Sequence, residues 1–128
     1  MIRYLTLEQL LDLARIATGR RAEVRELGLL DSAANRPRTS MFGADAYPDL
    51  FTKTAALLHS IVSNHPLVDG NKRLGWLACY VFCEINGLIL NPDEDAAYDF
   101  VIAVASGQLE DVDKIADVLR GFGGANGE

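Results

Sequence analysis

Apolar residues along this chain recur every three or four positions, the spacing of helices that pack one face against a core, rather than every second position. Capping residues and helix breakers mark the ends of these segments. Thr6 and Gln9 form a capping box at the start of the first segment, Gly19 ends that segment, and Pro37 ends the second. The pattern predicts an all-α fold of six helices. These cover about residues 6–19, 27–36, 49–63, 71–86, 91–107 and 111–120.

The fourth of these helices, which follows Gly70, is the most apolar, so we expect it at the centre of the fold. The fifth is predicted to begin with Asn91 as its N-cap. The glycine-rich sequence from Gly121 onward is typical of a mobile tail. We therefore predict a single domain over residues 1–122, followed by a flexible tail over residues 123–128.

One segment, residues 36–48, has no helical period and contains Pro37, Gly43 and Pro48. Prolines and glycines in this arrangement favour turns, so the segment is predicted to form an exposed loop or a small hairpin. Ordered loops of this length in a compact domain are often functional. We refer to residues 36–48 as the flap.

Composition and charge narrow the classes of protein to consider. The 128 residues are 49% apolar, which suits one soluble domain with its own core. The 12 basic and 18 acidic side chains give a formal charge of −6, which argues against direct nucleic-acid binding. No apolar stretch approaches the ~20 residues of a membrane helix and no signal-peptide pattern is present, so we expect a cytoplasmic protein. Cys79 and Cys83 lie in an apolar helical run and are predicted to be buried free thiols.

Polar chemistry is concentrated in residues 65–73, His-Pro-Leu-Val-Asp-Gly-Asn-Lys-Arg, at the turn before the fourth helix. The start of a helix exposes unpaired N–H groups and the positive end of the helix dipole, and it therefore attracts anions. Gly70 permits the close approach of a phosphate, and Lys72 and Arg73 add two cations in the first turn. Cations at this end of a helix are unfavourable by themselves, and a bound polyphosphate reverses that effect.

Two further side chains extend this interpretation. Asp69 is a carboxylate beside the cations and suits a hard divalent ion that bridges phosphate oxygens. His65 can accept a proton from an incoming hydroxyl group. A purely structural interpretation also fits, because Asp-Gly-Asn is a common turn sequence in which Asp69 or Asn71 caps the helix. The residues alone leave both interpretations open.

The string from His65 to Arg73 resembles the signature of the Fic/Doc superfamily, His-x-Phe-x-Asp/Asn-Ala/Gly-Asn-Gly/Lys-Arg. It is most similar to the Doc branch, which has lysine where the Fic branch has glycine. The exception is Leu67, where the family usually has a phenylalanine that anchors the loop in the core. The resemblance covers residues 1–122. It includes Doc-like sequences around the flap, in residues 28–33, 36–38 and 47–51.

This resemblance implies a compact six-helix fold and the toxin of a type II toxin–antitoxin system. The best-known Doc activity is the transfer of the γ-phosphate of ATP to a threonine of elongation factor Tu, which blocks translation. In this chain it implies that His65 activates the target hydroxyl, that Asp69 binds Mg²⁺, and that Lys72 and Arg73 neutralise the transferring phosphate. The phosphate cradle implied by the resemblance consists of Gly70, Asn71, Lys72 and Arg73.

Two alternatives remain at this stage. Fic-type adenylyltransferases attach AMP to a target hydroxyl, but their motif has glycine at the position of Lys72 and a second arginine at that of Trp76. Both departures favour phosphate transfer. The other alternative is a catalytically inactive module that only binds a partner, against which the intact motif argues. Two residues outside the motif also have two interpretations each: Trp76 packs in the core or stacks on a base, and His59 lies on a helix face or relays a proton.

Regulation is expected to come from a second protein. Fic-branch enzymes often carry an inhibitory helix with a glutamate near its end, and the nearest string here, Ser106–Asp111, ends in aspartate and contains a helix-breaking glycine. The resemblance therefore implies inhibition by a cognate, Phd-like antitoxin. A disordered segment of that antitoxin would fold as a helix into a groove on the toxin.

Overall fold

The structure, a computed structural model, describes residues 1–19 and 21–124, and this part of the chain contains six α-helices. It confirms the predicted all-α fold with a short hairpin. The helices are α1 (Leu7–Thr18), α2 (Leu27–Asn35), α3 (Leu50–Asn64), α4 (Asn71–Ile85), α5 (Glu94–Ala105) and α6 (Val112–Gly124). A 3₁₀ turn (Arg36–Arg38) and two strands, β1 (Ser40–Met41) and β2 (Ala44–Asp45), lie between α2 and α3.

Most helix ends lie where the capping residues predicted them. The Thr6 hydroxyl accepts the Gln9 N–H at 3.1 Å while the Gln9 side chain accepts the Thr6 N–H at 2.9 Å, which confirms the capping box. The predicted start of α5 is wrong by two residues. Its N-cap is Asp93 rather than Asn91, because the Asp93 carboxylate accepts the Ala96 N–H at 2.7 Å.

The central helix is α3, not α4 as the apolar pattern predicted. It packs against α2, α4, α5 and α6. Hydropathy underestimates its burial because several of its buried residues are polar, and local partners satisfy them. The Thr54 hydroxyl, for example, donates to the Leu50 carbonyl at 2.8 Å. The buried polar residues of α3 are Thr52, Lys53, Thr54 and Ser60.

An aromatic cluster joins the last three helices. The Trp76 ring meets Phe100 and Phe122 edge to face, with centroids 6.5 and 6.2 Å apart, and Phe100 and Phe122 are separated by 5.4 Å. This packing extends α6 to Gly124, so the prediction that the helix ends before Gly121 is wrong. The rest of the predicted tail, residues 125–128, lies outside the described residues.

The flap forms the predicted hairpin. Strands β1 and β2 pair antiparallel, and Phe42 and Gly43 between them have φ values of +52° and +80°, as a tight two-residue turn requires. Lys53 is only 1% exposed. Its ammonium group holds the base of the hairpin by donating to the Asp45 carboxylate at 3.1 Å and to the Tyr47 carbonyl. A buried cation from α3 therefore fixes where the flap lies.

The remaining sequence expectations concern thiols and membranes. Cys79 and Cys83 are buried and free, as predicted, and burial raises the pKa of the Cys83 thiol to about 11. Within the described residues, no helix has the length and apolar character needed to cross a membrane.

Helices α3 and α4 pack tightly at Gly75 of α4. A Cβ atom at this position would lie 2.8 Å from Val62 Cγ1 and 2.9 Å from Leu58 Cδ1, both on α3. Glycine is therefore favoured here because the side chains of α3 fill the space that a Cβ atom would need.

We expect Gly75→Val to destabilise the fold by about 1–3 kcal/mol, because the added atoms overpack the α3–α4 contact. Gly121→Val is the matched control, since a Cβ at that helical position meets no atom within 4 Å. Urea denaturation of both variants measures the difference. Equal stabilities for the two variants would contradict the packing argument.

Candidate functional site

Residues 65–73 form the short loop between α3 and α4 together with the first turn of α4. Residues 23–26 run alongside this loop and hold it through backbone hydrogen bonds. The Val68 N–H donates to the Glu23 carbonyl at 2.9 Å, and Val24 and Leu67 form an antiparallel bridge. Leu67 is 1% exposed, so it fills the core position expected of the larger family phenylalanine. The loop is anchored at its middle by this buried side chain.

His65 lies at the C-terminal end of α3. It is exposed and has a left-handed backbone, with φ +52° and ψ +63°, that ends the helix before Pro66. Residues other than glycine rarely adopt this backbone conformation. The backbone of His65 is therefore held in an uncommon state at the edge of the site.

The start of α4 has the features of an anion site. Its N-cap, Gly70, has φ +89° and offers no side chain to the helix, and the first intrahelical bond runs from the Leu74 N–H to the Gly70 carbonyl at 2.9 Å. The N–H groups of residues 71–73 precede that bond and are open to a ligand. A Cβ on Gly70 would lie 2.7 Å from Thr18 Cγ2, so both the backbone angle and the space require glycine.

The side chain of Asn71 has a structural role, but it holds the loop and does not cap α4 as the structural interpretation of the sequence proposed, since the N-cap is Gly70 and no side chain caps the helix. Its Oδ1 accepts the Leu67 N–H at 2.9 Å and its Nδ2 donates to the Leu67 carbonyl at 2.9 Å. The amide is thus committed to the loop backbone. Only the main-chain N–H of Asn71 is left for the phosphate cradle in which the whole residue was predicted to take part.

Three charged residues surround this helix start. The Asp69 carboxylate accepts the Gly70 N–H at 2.8 Å, which orients it beside the first turn of α4. The Arg73 guanidinium reaches the Ala17 carbonyl at 3.4 Å, and Lys72 is exposed and bonds to no group in residues 1–19 and 21–124. The two cations therefore remain available to an anion.

A cleft of about 500 Å³ opens from this helix start toward α5. Residues 69–73 line it at the start of α4, and Trp76 of α4 and Glu94, Tyr98 and Val101 of α5 line the rest, so that more of its surface is apolar than polar. Trp76 packs in the aromatic cluster, as one of its two interpretations predicted, and it also lines the cleft, while its stacking on a base stays a prediction. We call this space the α4–α5 cleft. It is lined by Asp69, Gly70, Asn71, Lys72, Arg73, Trp76, Glu94, Ala97, Tyr98, Val101 and Ile102.

The structure brings Asp69, Gly70, Asn71, Lys72 and Arg73 together in this cleft, whereas His65 lies outside its lining. Tyr98 also lines the cleft, and it is 67% exposed. No group of three or more histidine, cysteine, aspartate or glutamate side chains in the described residues forms a metal site. A divalent ion here would be held by one carboxylate together with ligand oxygens, which is common for Mg²⁺.

The second histidine supports the flap. The Arg36 guanidinium donates to His59 Nδ1 at 2.8 Å, to the Ser60 hydroxyl at 3.1 Å and to the Tyr47 hydroxyl at 3.0 Å. Burial and the neighbouring guanidinium lower the pKa of His59, although the Glu110 carboxylate opposes this. Both ends of the flap are thus tied to α3, and His59 is part of that support.

Comparison with known proteins agrees with this geometry. A sequence model of the Fic/DOC family matches residues 4–83, which include the flap, the loop and nearly all of α4. The chain belongs to the Fic/Doc family. A Fic/Doc relative named Toxin Doc, from Mycolicibacterium smegmatis (strain ATCC 700084 / mc(2)155), is 46% identical over 127 residues. The match covers 98% of this chain and 97% of the relative, so the similarity extends beyond the family match into α5 and α6.

We expect Asn71→Asp to lower the free energy of unfolding by about 1–3 kcal/mol, because the carboxylate cannot donate to the buried Leu67 carbonyl. Gln108→Glu makes the same amide-to-acid exchange at an exposed position and serves as the control. Urea denaturation at neutral pH compares the two variants. A loss no larger than that of the control would contradict the structural role of Asn71.

Proposed function

We propose that this protein is the toxin of a toxin–antitoxin pair and acts as a protein kinase. In this proposal it transfers the γ-phosphate of ATP, with Mg²⁺, to a threonine hydroxyl of elongation factor Tu and so blocks translation. One observation carries the proposal: the start of α4, which has Lys72, Arg73 and no side-chain cap, opens into a cleft whose remaining lining is largely apolar. The 46% identity to Toxin Doc supports the assignment to a toxin.

The start of α4 suits the phosphates of ATP. Three main-chain N–H groups, the positive end of the helix dipole, Lys72 and Arg73 all face the same region. Phosphoryl transfer needs mainly positioning and charge neutralisation, and these groups supply both. Asp69 would hold the Mg²⁺, which when bound neutralises charge on the phosphate oxygens.

The aromatic and apolar residues of the cleft suit the base of the nucleotide. Tyr98 offers an exposed aromatic face, while Trp76, Val101 and Ile102 supply apolar surface. Bases stack on aromatic side chains without needing specific hydrogen bonds. A cleft of about 500 Å³ lies within the range of small-molecule sites, so one nucleotide matches both its size and its polarity.

His65 is proposed as the general base. It accepts the proton of the target hydroxyl while that oxygen bonds to the γ-phosphorus, and the bond from this phosphorus to the β–γ bridging oxygen breaks, so that ADP leaves. Its exposed position outside the cleft suits a base that must meet a protein substrate rather than the nucleotide. Thr39 of the flap and Asn64, the residue before His65, line one pocket, and the edges of the two short flap strands would pair with an extended target segment.

Transfer of AMP is the weaker proposal for this site. The position of the second arginine of the Fic branch is occupied by Trp76, whose ring is packed against Phe100 and Phe122. An indole supplies no bidentate contact to a phosphate. Lys72 in turn adds a side chain where that branch has glycine. Both features favour attack at the γ-phosphate.

The proposed inhibitor is a separate antitoxin whose disordered segment folds as a helix in a groove of this protein. The segment Ser106–Asp111, the nearest sequence to an internal inhibitory helix, forms a turn between α5 and α6, with Gly107 at φ +83°. A helix that blocks the cleft is therefore not supplied by this segment. Inhibition by a partner remains the consistent arrangement.

We expect this protein, incubated with Mg²⁺ and purified elongation factor Tu, to label the factor when γ-labelled ATP is supplied and not when α-labelled ATP is supplied. His65→Ala abolishes the labelling in this proposal, because the general base is lost. Gln108→Ala, at an exposed position between α5 and α6, is the control and should keep the activity. Label from the α position would instead identify an adenylyltransferase. No label from either, together with an unchanged cellular effect of His65→Ala, would favour the binding module.

We expect Tyr98→Ala to raise the KM for ATP roughly ten-fold, because it removes a stacking surface for the base. Tyr98→Phe keeps the ring and should leave the KM nearly unchanged. Initial rates of phosphate transfer over a range of ATP concentrations separate KM from kcat. An unaltered KM in Tyr98→Ala would place the base elsewhere.

A further inference from the structure

One arginine controls the backbone on both sides of His65. The Arg25 Nε donates to the His65 carbonyl at 2.7 Å and its Nη2 donates to the Asn64 carbonyl at 2.8 Å. The main-chain N–H of Arg25 donates to the Pro66 carbonyl at 2.8 Å. Three consecutive carbonyl groups are therefore held by a residue that lies 40 positions earlier in the chain.

These carbonyls are at the end of α3, where helical partners are missing. The last turn of a helix leaves its carbonyl groups without intrahelical donors, and a cation there also interacts favourably with the helix dipole. Arg25 supplies both from outside the helix. Its planar fork can meet two carbonyls at once, which a lysine ammonium on a flexible stem cannot match.

The imidazole of His65 depends on this support. In the part of the chain that the structure describes, its ring makes no hydrogen bond, and its backbone has the uncommon φ of +52°. Among the described residues, the polar contacts that position His65 are therefore those of its backbone. On the other side of Pro66, the Asn71 amide holds Leu67, so Arg25 is the side chain that secures the His65 end of the loop.

We propose that Arg25 is a positioning residue that fixes the left-handed backbone of His65 and thereby places the imidazole for proton transfer. This inference rests on the proposed function of His65 as a general base. Arg25 does not line the α4–α5 cleft, so its effect should fall on the chemical step rather than on nucleotide binding.

The kinetic test uses Arg25→Lys and Arg25→Gln, with the exposed Arg21→Gln as the matched control. We expect kcat for phosphate transfer to fall roughly 10- to 100-fold in both Arg25 variants, because a small displacement of a reacting group costs that much. The KM for ATP should stay within about two-fold of the parent value, and Arg21→Gln should match the parent. Unchanged kcat in both Arg25 variants overturns the proposal.

A second readout does not depend on enzyme activity. The chain has only two histidines, so its NMR spectrum contains two sets of imidazole signals, which His65→Ala assigns. We expect Arg25→Lys to shift the His65 ring signals and to leave those of His59 in place. Unmoved His65 signals, or equal shifts of both histidines with a lowered Tm, overturn the positioning role. Absence of phosphate transfer in the parent protein would count against the proposed function, while the NMR result still decides the role of Arg25.

Discussion

The close packing of α3 against α4 is the constraint on which the candidate site depends. At Gly75 the two helices leave no room for a Cβ atom, and the loop of residues 65–70 joins them directly. This arrangement brings the carbonyl end of one helix next to the N–H end of the other. The two ends are treated differently: Arg25 caps the carbonyl end, whereas Gly70 leaves the N–H end without a side-chain cap. The site therefore offers unpaired donors to an anion beside a tightly held histidine.

Two cations, Lys53 of α3 and Arg36, hold the base of the flap. Lys53 is buried and Arg36 is half-buried, and oxygen or nitrogen acceptors offset the cost of removing each charge from water. The base of the hairpin is thereby tied to the central helix, while Met41 and Phe42 at its tip stay exposed. A partner segment that pairs with the flap would meet a preorganised edge, which reduces the entropy lost on binding.

The two parts of the proposed reaction lie on different sides of the same loop. Groups suited to the nucleotide line the α4–α5 cleft, and His65 lies outside its lining and is exposed. Leu67 separates them and anchors the loop in the core. A loop that is held from both sides keeps a fixed distance between donor and acceptor, which proximity effects in catalysis require.

Features that depend on neighbouring residues were predicted correctly, and features that depend on distant residues were missed. Helix periodicity and capping residues act within one turn, so Thr6, Gln9 and Gly19 predicted the ends of α1 correctly. The motif of residues 65–73 likewise predicted which residues meet at the start of α4. The central position of α3 was missed because Lys53 and its polar neighbours look exposed until their partners are known. The extension of α6 past Gly121 was missed because it depends on Phe122 packing against Trp76 and Phe100.

By itself, then, the sequence determined the helices, the hairpin, the buried thiols and the identity of the polar residues in the loop, because each depends on local spacing or on a short motif. The tertiary structure decided which partner each of these polar residues contacts. It gave the Asn71 amide to Leu67, turned Tyr98 toward a cleft, and brought Arg25 to His65. The contact of Arg25 with His65 spans 40 positions and the cleft joins α4 to α5, and no local pattern records such neighbours. The Asn71–Leu67 contact is short in sequence, but it depends on the folded conformation of the loop.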